Sequence, residues 1–263
     1  MIESATIQPQ TSFNVLLLGD SCIDEYYIGT CDRLNPEAPV PIMIIQEHYT
    51  TQGMASNVRN NLTKLGCEVD FITNNEVITK TRYIDQRSGQ HLLRVDNEKK
   101  VVPWNNTTPF PLETYDAIVI SDYNKGFLET ASIQHICHTF KGPIFIDTKK
   151  TDLRKFNNAF IKINELEYGK RTSDANNVIV TLGSKGAMYK KSFLTAIYDG
   201  FSAEVVDVCG CGDTFLAALV YQYLVTKDID QAIIFANAAA SITVQHRGNY
   251  APSYDEIKKI AGY

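Results

Sequence analysis

Short apolar runs alternate along the chain with segments whose apolar residues recur at helical spacing. Runs that predict buried strands occur at 13–20, 67–73, 115–120, 143–148, 159–164, 176–183 and 203–207. Helical spacing predicts helices at 54–66 and 129–140, from Asp213 to about Val225, from Asp230 to about His246 with Gly248 as its cap, and from Ser253 to about Ala261. This order predicts an α/β fold with a mostly parallel central sheet and helices on both of its faces.

Two regions interrupt this pattern, at about 22–50 and 79–97. Their strands, such as TKTRYID (79–85) and QHLLRVD (90–96), alternate polar and apolar residues, which predicts sheet with one polar face. We therefore expect a small β-lid that stands off the main sheet. An exposed sheet edge favours pairing with a second chain, so a homodimer formed through the lid is expected.

Composition narrows the class of protein. A chain of 263 residues that is 44% hydrophobic and has no evident linker predicts a single domain over residues 1–263. The net charge is −5 and the basic residues are scattered, which favours neither nucleic acid nor a membrane as a partner. The N-terminal residues lack a signal-peptide pattern, so the expected location is cytoplasmic. Six cysteines without a CxxC pair are expected to be reduced.

A glycine turn before a predicted helix carries the main candidate chemistry. Gly210, Cys211 and Gly212 precede Asp213, and glycines at a helix start let backbone N–H groups point at an anion. A carboxylate beside a bound anion is unfavourable unless it accepts the proton of an attacking hydroxyl, as in phosphoryl transfer. A plain turn with an N-capping aspartate fits the same residues. Two thiols without further ligands are a poor metal site.

The segment 207–215, DVCGCGDTF, resembles the C-terminal signature D-T-x-G-A-G-D-x-F of the ribokinase-like (PfkB) sugar kinases. The resemblance implies a ribokinase-like α/β fold with a β-lid over the sugar. It further implies an ATP- and Mg²⁺-dependent kinase in which Gly210, Cys211 and Gly212 form the anion hole and Asp213 is the catalytic base.

Further segments resemble the same family on the nucleotide side. NELE (164–167) is similar to its N-x-x-E motif, and TLGSKG (181–186) to its T-x-G-x-x-G loop. The resemblance implies that ATP is bound by Lys149, Asn164, Glu165, Leu166, Glu167, Thr181, Gly183, Ser184, Gly186 and Asn237. Glu167 is implied in Mg²⁺ binding through water. Without the resemblance, NELE is also typical of an ordinary helix start, and TLGSKG is also typical of an ordinary hairpin turn.

Within the family, RLNPEAPVP (33–41) and SDYNKG (121–126) are similar to the bacterial D-glycero-D-manno-heptose 7-phosphate kinases. That likeness implies transfer to the anomeric hydroxyl of a heptose 7-phosphate, giving the 1,7-bisphosphate. The implied sugar-binding residues are Asp20, Asp24, Gly53, Asn57 and Asp122, with Arg33, Arg94 and Lys125 as cations for the substrate phosphate.

Three other functions are alternatives to this one. A kinase for another sugar or for a nucleoside would use the same phosphoryl chemistry. A catalytically silent sugar-binding regulatory protein would keep the fold and lose turnover. A nicotinamide dehydrogenase is disfavoured, because the turn GDSCID (19–24) lacks the pattern G-x-G-x-x-G.

Overall fold

A computed structural model describes residues 12–105 and 111–262; residues 1–11, 106–110 and 263 of the predicted domain lie outside it. The strands are β1 (Asn14–Gly19), β2 (Ser21–Leu34), β3 (Pro41–Met54), β4 (Glu68–Thr73), β5 (Thr79–Asp85), β6 (His91–Asn97), β7 (Ala117–Asp122), β8 (Ile144–Thr148), β9 (Phe160–Asn164), β10 (Asn177–Thr181), β11 (Ala187–Lys191) and β12 (Leu194–Tyr198). The helices are α1 (Ala55–Lys64), α2 (Thr130–Thr139), α3 (Glu165–Lys170), α4 (Cys211–Thr226), α5 (Ile229–Thr243) and α6 (Tyr254–Ala261).

The main sheet has the order β12-β11-β10-β9-β8-β7-β1-β4. Its pairs are parallel from β4 to β10, and β11 and β12 join antiparallel at one end. Successive residues of a strand face opposite sides. Accordingly, Val15 and Leu17 of β1 enter a core that contains α1, α4, α5 and α6, while Leu16 and Leu18 enter a second core that contains α2. The α/β fold with helices on both faces is confirmed.

The second sheet consists of β3, β2, β5 and β6, in that order. It coincides with the predicted regions 22–50 and 79–97, although β2 and β3 are 14 residues long and extend beyond the first of them. The expected alternation holds in β2, where Cys22, Asp24, Tyr26 and Ile28 are buried and the residues between them are not. In β6 the residues of both faces are exposed along the whole strand.

Two other details of the sequence prediction are wrong. Residues 203–207 form no strand; Val206 and Asp207 instead donate their N–H groups to the Val244 carbonyl. The helix before Gly248 already ends at Thr243, and Gly248 donates its N–H to the Asp207 carboxylate. The hairpin of β11 and β12 was missed.

Among the residues that the structure describes, no helix is long and apolar enough to cross a membrane.

Candidate active site

Asp213 lies in the first turn of α4 and is almost completely buried. Its Oδ2 accepts a hydrogen bond from Asn57 Nδ2 at 3.0 Å, and its Oδ1 accepts one from the Tyr123 hydroxyl at 2.8 Å. Both donors come from distant parts of the chain, α1 and the loop after β7. The carboxylate is therefore fixed at the carboxyl edge of the sheet, where α/β proteins bind their ligands.

Opposing effects set the protonation of Asp213. The pKa of its carboxyl group is raised to about 6, because burial raises it more than the hydrogen bonds from Asn57 and Tyr123 lower it. The negative charge of Asp147 raises this pKa and the positive charge of Lys162 lowers it. A carboxyl group with such a pKa is ionised at neutral pH and can still accept a proton, as a general base requires.

The glycine turn before Asp213 is close to three polar side chains. Gly210 has a φ of +72°, and a Cβ there would lie 2.5 Å from Asn249 Oδ1 and 2.7 Å from Asn57 Nδ2. A Cβ on Gly212 would lie 2.8 Å from Lys162 Nζ. Because the first N–H groups of a helix have no acceptor within it, this turn offers donors and the positive end of α4 to an anion.

Beneath the turn, Lys162 and Asp147 form a buried ion pair with a distance of 2.6 Å between Nζ and Oδ2. They come from β9 and β8, adjacent strands of the sheet. Sequence reasoning missed both residues. The signal was present, since Lys162 is a charged residue inside the apolar run AFIKIN, at the end where a strand opens into a site.

The cysteines of the turn are protonated at neutral pH. Burial raises the pKa of Cys209 to about 11 and that of Cys211 to about 12. Cys211 Sγ lies 3.9 Å from the Cys209 carbonyl oxygen. Since thiolates rather than thiols bind metals and act as nucleophiles, this chemistry does not favour the metal-site interpretation.

On the predicted nucleotide side, Asn164 and Glu167 form a capping box at the start of α3. The Asn164 side chain accepts the Glu167 N–H and the Glu167 carboxylate accepts the Asn164 N–H, both at 2.9 Å. Lys149 Nζ is paired with Glu167 Oε1, while Glu165 and Leu166 are exposed. Residues 164–167 therefore form an ordinary capped helix start. The same residues hold the Glu167 carboxylate next to the Lys149 ammonium group.

A cavity of about 540 Å³ opens beside the glycine turn. It is lined by the predicted residues Thr181, Gly183, Ser184, Gly186 and Asn237, by Cys211 and Gly212, and by apolar side chains that include Phe215 and Val244. Residues 183–185 form a short 3₁₀ turn that joins β10 to β11. The Asn237 amide donates to the carbonyls of Tyr198 and Asp199 at 3.2 Å, which fixes the cavity wall.

On the predicted sugar side, Asp24 is buried and paired with Arg82 of β5 at 2.6 Å. Asn249 donates to Asp24 Oδ2 at 3.2 Å, and a Cβ on Gly53 would lie 2.1 Å from the same oxygen. Any larger residue at position 53 would therefore displace Asp24. The structure brings Asp24, Gly53 and Asn57 together near Gly210; of these, Asn57 contacts the Asp213 carboxylate itself.

Asp20 and Asp122 are also buried, but both are bonded to the loop after β7. Asp20 accepts the N–H groups of Lys125 and Phe127 at 3.2 and 3.4 Å. Asp122 accepts the Asn124 N–H of that loop at 3.0 Å, and it also accepts Thr148 Oγ1 at 2.6 Å and Lys150 Nζ at 2.7 Å. These two aspartates thus anchor the loop that carries Tyr123.

The three predicted cations differ in their surroundings. Arg94 forms a two-bonded ion pair with Asp96 at 2.7 Å, and Lys125 is paired with Glu98. Arg33 is exposed near the end of β2. A cation that sequence reasoning missed, Lys80 of β5, has its Nζ 5.2 Å from the centre of the Tyr123 ring.

Comparisons of the sequence with known proteins find carbohydrate kinases. Residues 133–256 match the model of the pfkB family carbohydrate kinases. The chain is 31% identical over 301 residues to a bifunctional protein HldE from Nitratiruptor and 30% identical over 305 residues to one from Helicobacter acinonychis. These alignments cover 93% and 94% of the chain and 64% and 66% of the relatives. The chain thus spans just under two thirds of their length.

Solved structures share the fold at low sequence identity. A ribokinase from Arabidopsis thaliana, determined with ribose and ATP, has a TM-score of 0.74 at 16% identity, covering 96% of this chain and 100% of its own. A nucleoside kinase from Methanocaldococcus jannaschii has a TM-score of 0.71 at 14% identity, covering 96% and 99%. The fold is that of the ribokinase-like kinases. Residues 133–256 are similar to the carbohydrate kinases of the PfkB family.

Proposed function

We propose that this chain transfers the γ-phosphate of ATP to a hydroxyl group of a sugar phosphate. The observation that carries the proposal is the buried, doubly hydrogen-bonded Asp213 in the first turn of α4, between the cavity and the second sheet. Such a carboxylate can act as the base that accepts the proton of an attacking hydroxyl. The helix start beside it can bind the phosphoryl group that the hydroxyl attacks.

Each part of the site has a role in this proposal. Asp213 accepts the proton of the sugar hydroxyl, while Asn57 holds the carboxylate in place. The N–H groups of the turn from Gly210 to Gly212 and the Lys162 ammonium group stabilise the charge on the transferred phosphoryl group. The cavity lined by Thr181, Ser184 and Asn237 is of suitable size and polarity for a nucleotide base and ribose.

Mg²⁺ is proposed to bind on the side of Glu167. Among the described residues no group of three or more His, Cys, Asp or Glu side chains could hold a metal ion. A single carboxylate nevertheless fits Mg²⁺, which keeps several waters and is held by one or two carboxylates plus substrate phosphates. Bound there, Mg²⁺ would neutralise phosphate charge.

Heptose 7-phosphate is the proposed acceptor, because the most specific motif, PEAPVP (36–41), is similar to that of heptose 7-phosphate kinases and the curated relatives are named HldE. Asp24, Arg82 and Asn249 offer acceptors and donors suited to adjacent sugar hydroxyls. Lys80, which lies opposite Asp24 in the second sheet, supplies positive charge for the phosphate that the substrate already carries.

The first prediction tests this function directly. Release of ADP from ATP should require both a divalent cation and an acceptor, and heptose 7-phosphate should give the largest kcat/KM in a panel of sugars, sugar phosphates and nucleosides. The measurement is a coupled ADP assay with Mg²⁺ or with EDTA. Equal turnover in both conditions would contradict the metal requirement. Ligand-induced thermal stabilisation without turnover would instead support a silent sugar-binding protein.

The second prediction concerns the second sheet, which we propose closes over the sugar and pairs with a second copy. Its edge strand β6 exposes Leu93 and Val95, and β3 exposes Ile44 and Ile45. Leu93→Asp is expected to convert a dimer to a monomer in sedimentation velocity at micromolar concentration. Phe193→Asp, at the exposed turn between β11 and β12, is the matched control and should leave the dimer intact. A monomeric wild-type protein would contradict this proposal.

A further inference from the structure

Tyr123 is the residue whose side chain joins the candidate base to both sides of the site. It follows the carboxyl end of β7, and its hydroxyl donates to Asp213 Oδ1, 90 residues further along the chain. We infer that Tyr123 is a positioning residue for the reaction, holding Asp213 in the orientation and ionisation state that a base needs. The inference rests on the proposed kinase function and extends it to a residue outside the predicted site.

The backbone around Tyr123 is fixed by buried carboxylates. Asp122 accepts the Asn124 N–H at 3.0 Å as well as the side chains of Thr148 and Lys150. Asn124 has a φ of +57°, an uncommon conformation for a residue other than glycine. Asp20 binds the N–H groups that follow. A loop anchored in this way can hold a side chain with the precision that a catalytic group requires.

The ring of Tyr123 is placed by two ammonium groups. Lys80 Nζ lies 5.2 Å from the ring centre and Lys149 Nζ lies 5.3 Å from it. Lys80 belongs to the second sheet, on the proposed sugar side, and Lys149 is paired with Glu167 on the proposed nucleotide side. Both distances are within the range of cation–π attraction. The phenol is therefore held in place by groups from the sites of both proposed substrates.

The hydroxyl of Tyr123 remains the proton donor in this pair. Burial and the charge of Asp213 raise the pKa of the Tyr123 hydroxyl well above its usual value, so the proton stays on the phenol at neutral pH. A hydrogen bond donated to a carboxylate favours its charged form. Removing the hydroxyl should therefore make Asp213 harder to ionise.

Other groups also act on Asp213 and are unchanged when the Tyr123 hydroxyl is removed. The charged and titratable groups that face the Asp213 carboxylate or the Tyr123 ring are Cys22, Lys80, Asp147, Lys149, Lys162 and Cys211. The thiols of Cys22 and Cys211 stay protonated, because burial raises the pKa of each to about 12. The pH profile between pH 5 and 8 is therefore used to follow the titration of the Asp213 carboxyl group.

The third prediction tests this role with Tyr123→Phe. The acid limb of the profile of kcat/KM against pH should move to higher pH by about one to two units, since hydrogen bonds to charged groups are worth that much. The loss of rate should accordingly be larger at pH 6 than at pH 8, while KM for ATP changes by less than about twofold. Tyr115→Phe is the matched control, because it removes another hydrogen bond from tyrosine to aspartate, that to Asp70 at 2.6 Å.

A second measurement needs no turnover. Titration of ¹³C-carboxyl aspartate signals by NMR, with the Asp213 signal identified by its loss in Asp213→Asn, should show a higher midpoint in Tyr123→Phe than in the wild type and in Tyr115→Phe. An unchanged midpoint in a folded Tyr123→Phe protein would overturn the inference. If the wild type transfers no phosphate to any acceptor while the midpoint still moves, the proposed function fails and the coupling of Tyr123 to Asp213 stands.

Discussion

Asp213→Asn is expected to lower kcat by about 10²–10⁴, the usual contribution of a positioned general base. An asparagine side chain keeps the shape of the site and can still accept from Asn57, but it cannot take a proton from a hydroxyl. The affinity for ATP, measured by calorimetry, should change little because the predicted nucleotide cavity is not lined by Asp213.

The same substitution should leave the protein at least as stable at pH 7. The pKa of Asp213 is raised in the folded state, from 3.8 to about 6. The folded protein therefore binds more protons between these two values, and this group's contribution to stability falls as pH rises through that window. Above pH 6 the buried charge costs about 3 kcal/mol, which asparagine removes. A large loss of stability in denaturant unfolding would mean that the activity loss reports unfolding.

Substitution of the neighbouring cysteines provides the control. Cys211→Ala keeps the backbone N–H of the glycine turn, so it should remain active, and Cys209→Ser should also be tolerated because the residue is only half-buried. If either change abolished activity together with bound zinc, while Asp213→Asn kept normal turnover, the cysteines would be the site. The argument for a kinase would then be wrong.

Lys162→Met is expected to reduce the free energy of unfolding by about 3–5 kcal/mol, the cost of leaving one partner of a buried ion pair without the other. The side chains of Lys162 and Asp147 are only 6% and 7% exposed, so water cannot replace the lost ammonium group. Guanidinium unfolding followed by circular dichroism measures the loss.

Two controls distinguish this effect from general sensitivity to substitution. The double variant Lys162→Met with Asp147→Leu removes both charges and should recover much of the lost stability, because replacing a whole buried pair by apolar residues is often close to neutral. Arg87→Met breaks the exposed pair with Asp32 and should change stability little. A Lys162→Met protein as stable as the wild type would show that Asp147 becomes protonated or hydrated at small cost.

Much of the fold follows from local pattern. The apolar runs at β1, β7, β8, β9 and β10 lack polar alternation because both faces of these strands are covered, and that pattern alone indicates a parallel sheet between helix layers. The polar alternation of β2 likewise separates the second sheet from the first. The strand predicted at 203–207 does not form, because Val205 lines the cavity, where it is 60% exposed, and the segment pairs with no strand.

The sequence by itself determined the fold class and the base candidate Asp213 with its glycine turn, because these depend on residues close together in the chain. Only the tertiary structure decided which groups act on that carboxylate. Tyr123 and Asn57 reach it because β7 and α1 end beside the start of α4, and Lys162 meets Asp147 because β8 and β9 are adjacent. The tertiary structure also decided that Asp20 and Asp122 anchor the loop after β7, and that Arg94 and Lys125 form ion pairs with Asp96 and Glu98. Such partners are set by strand order and burial, which no local pattern contains.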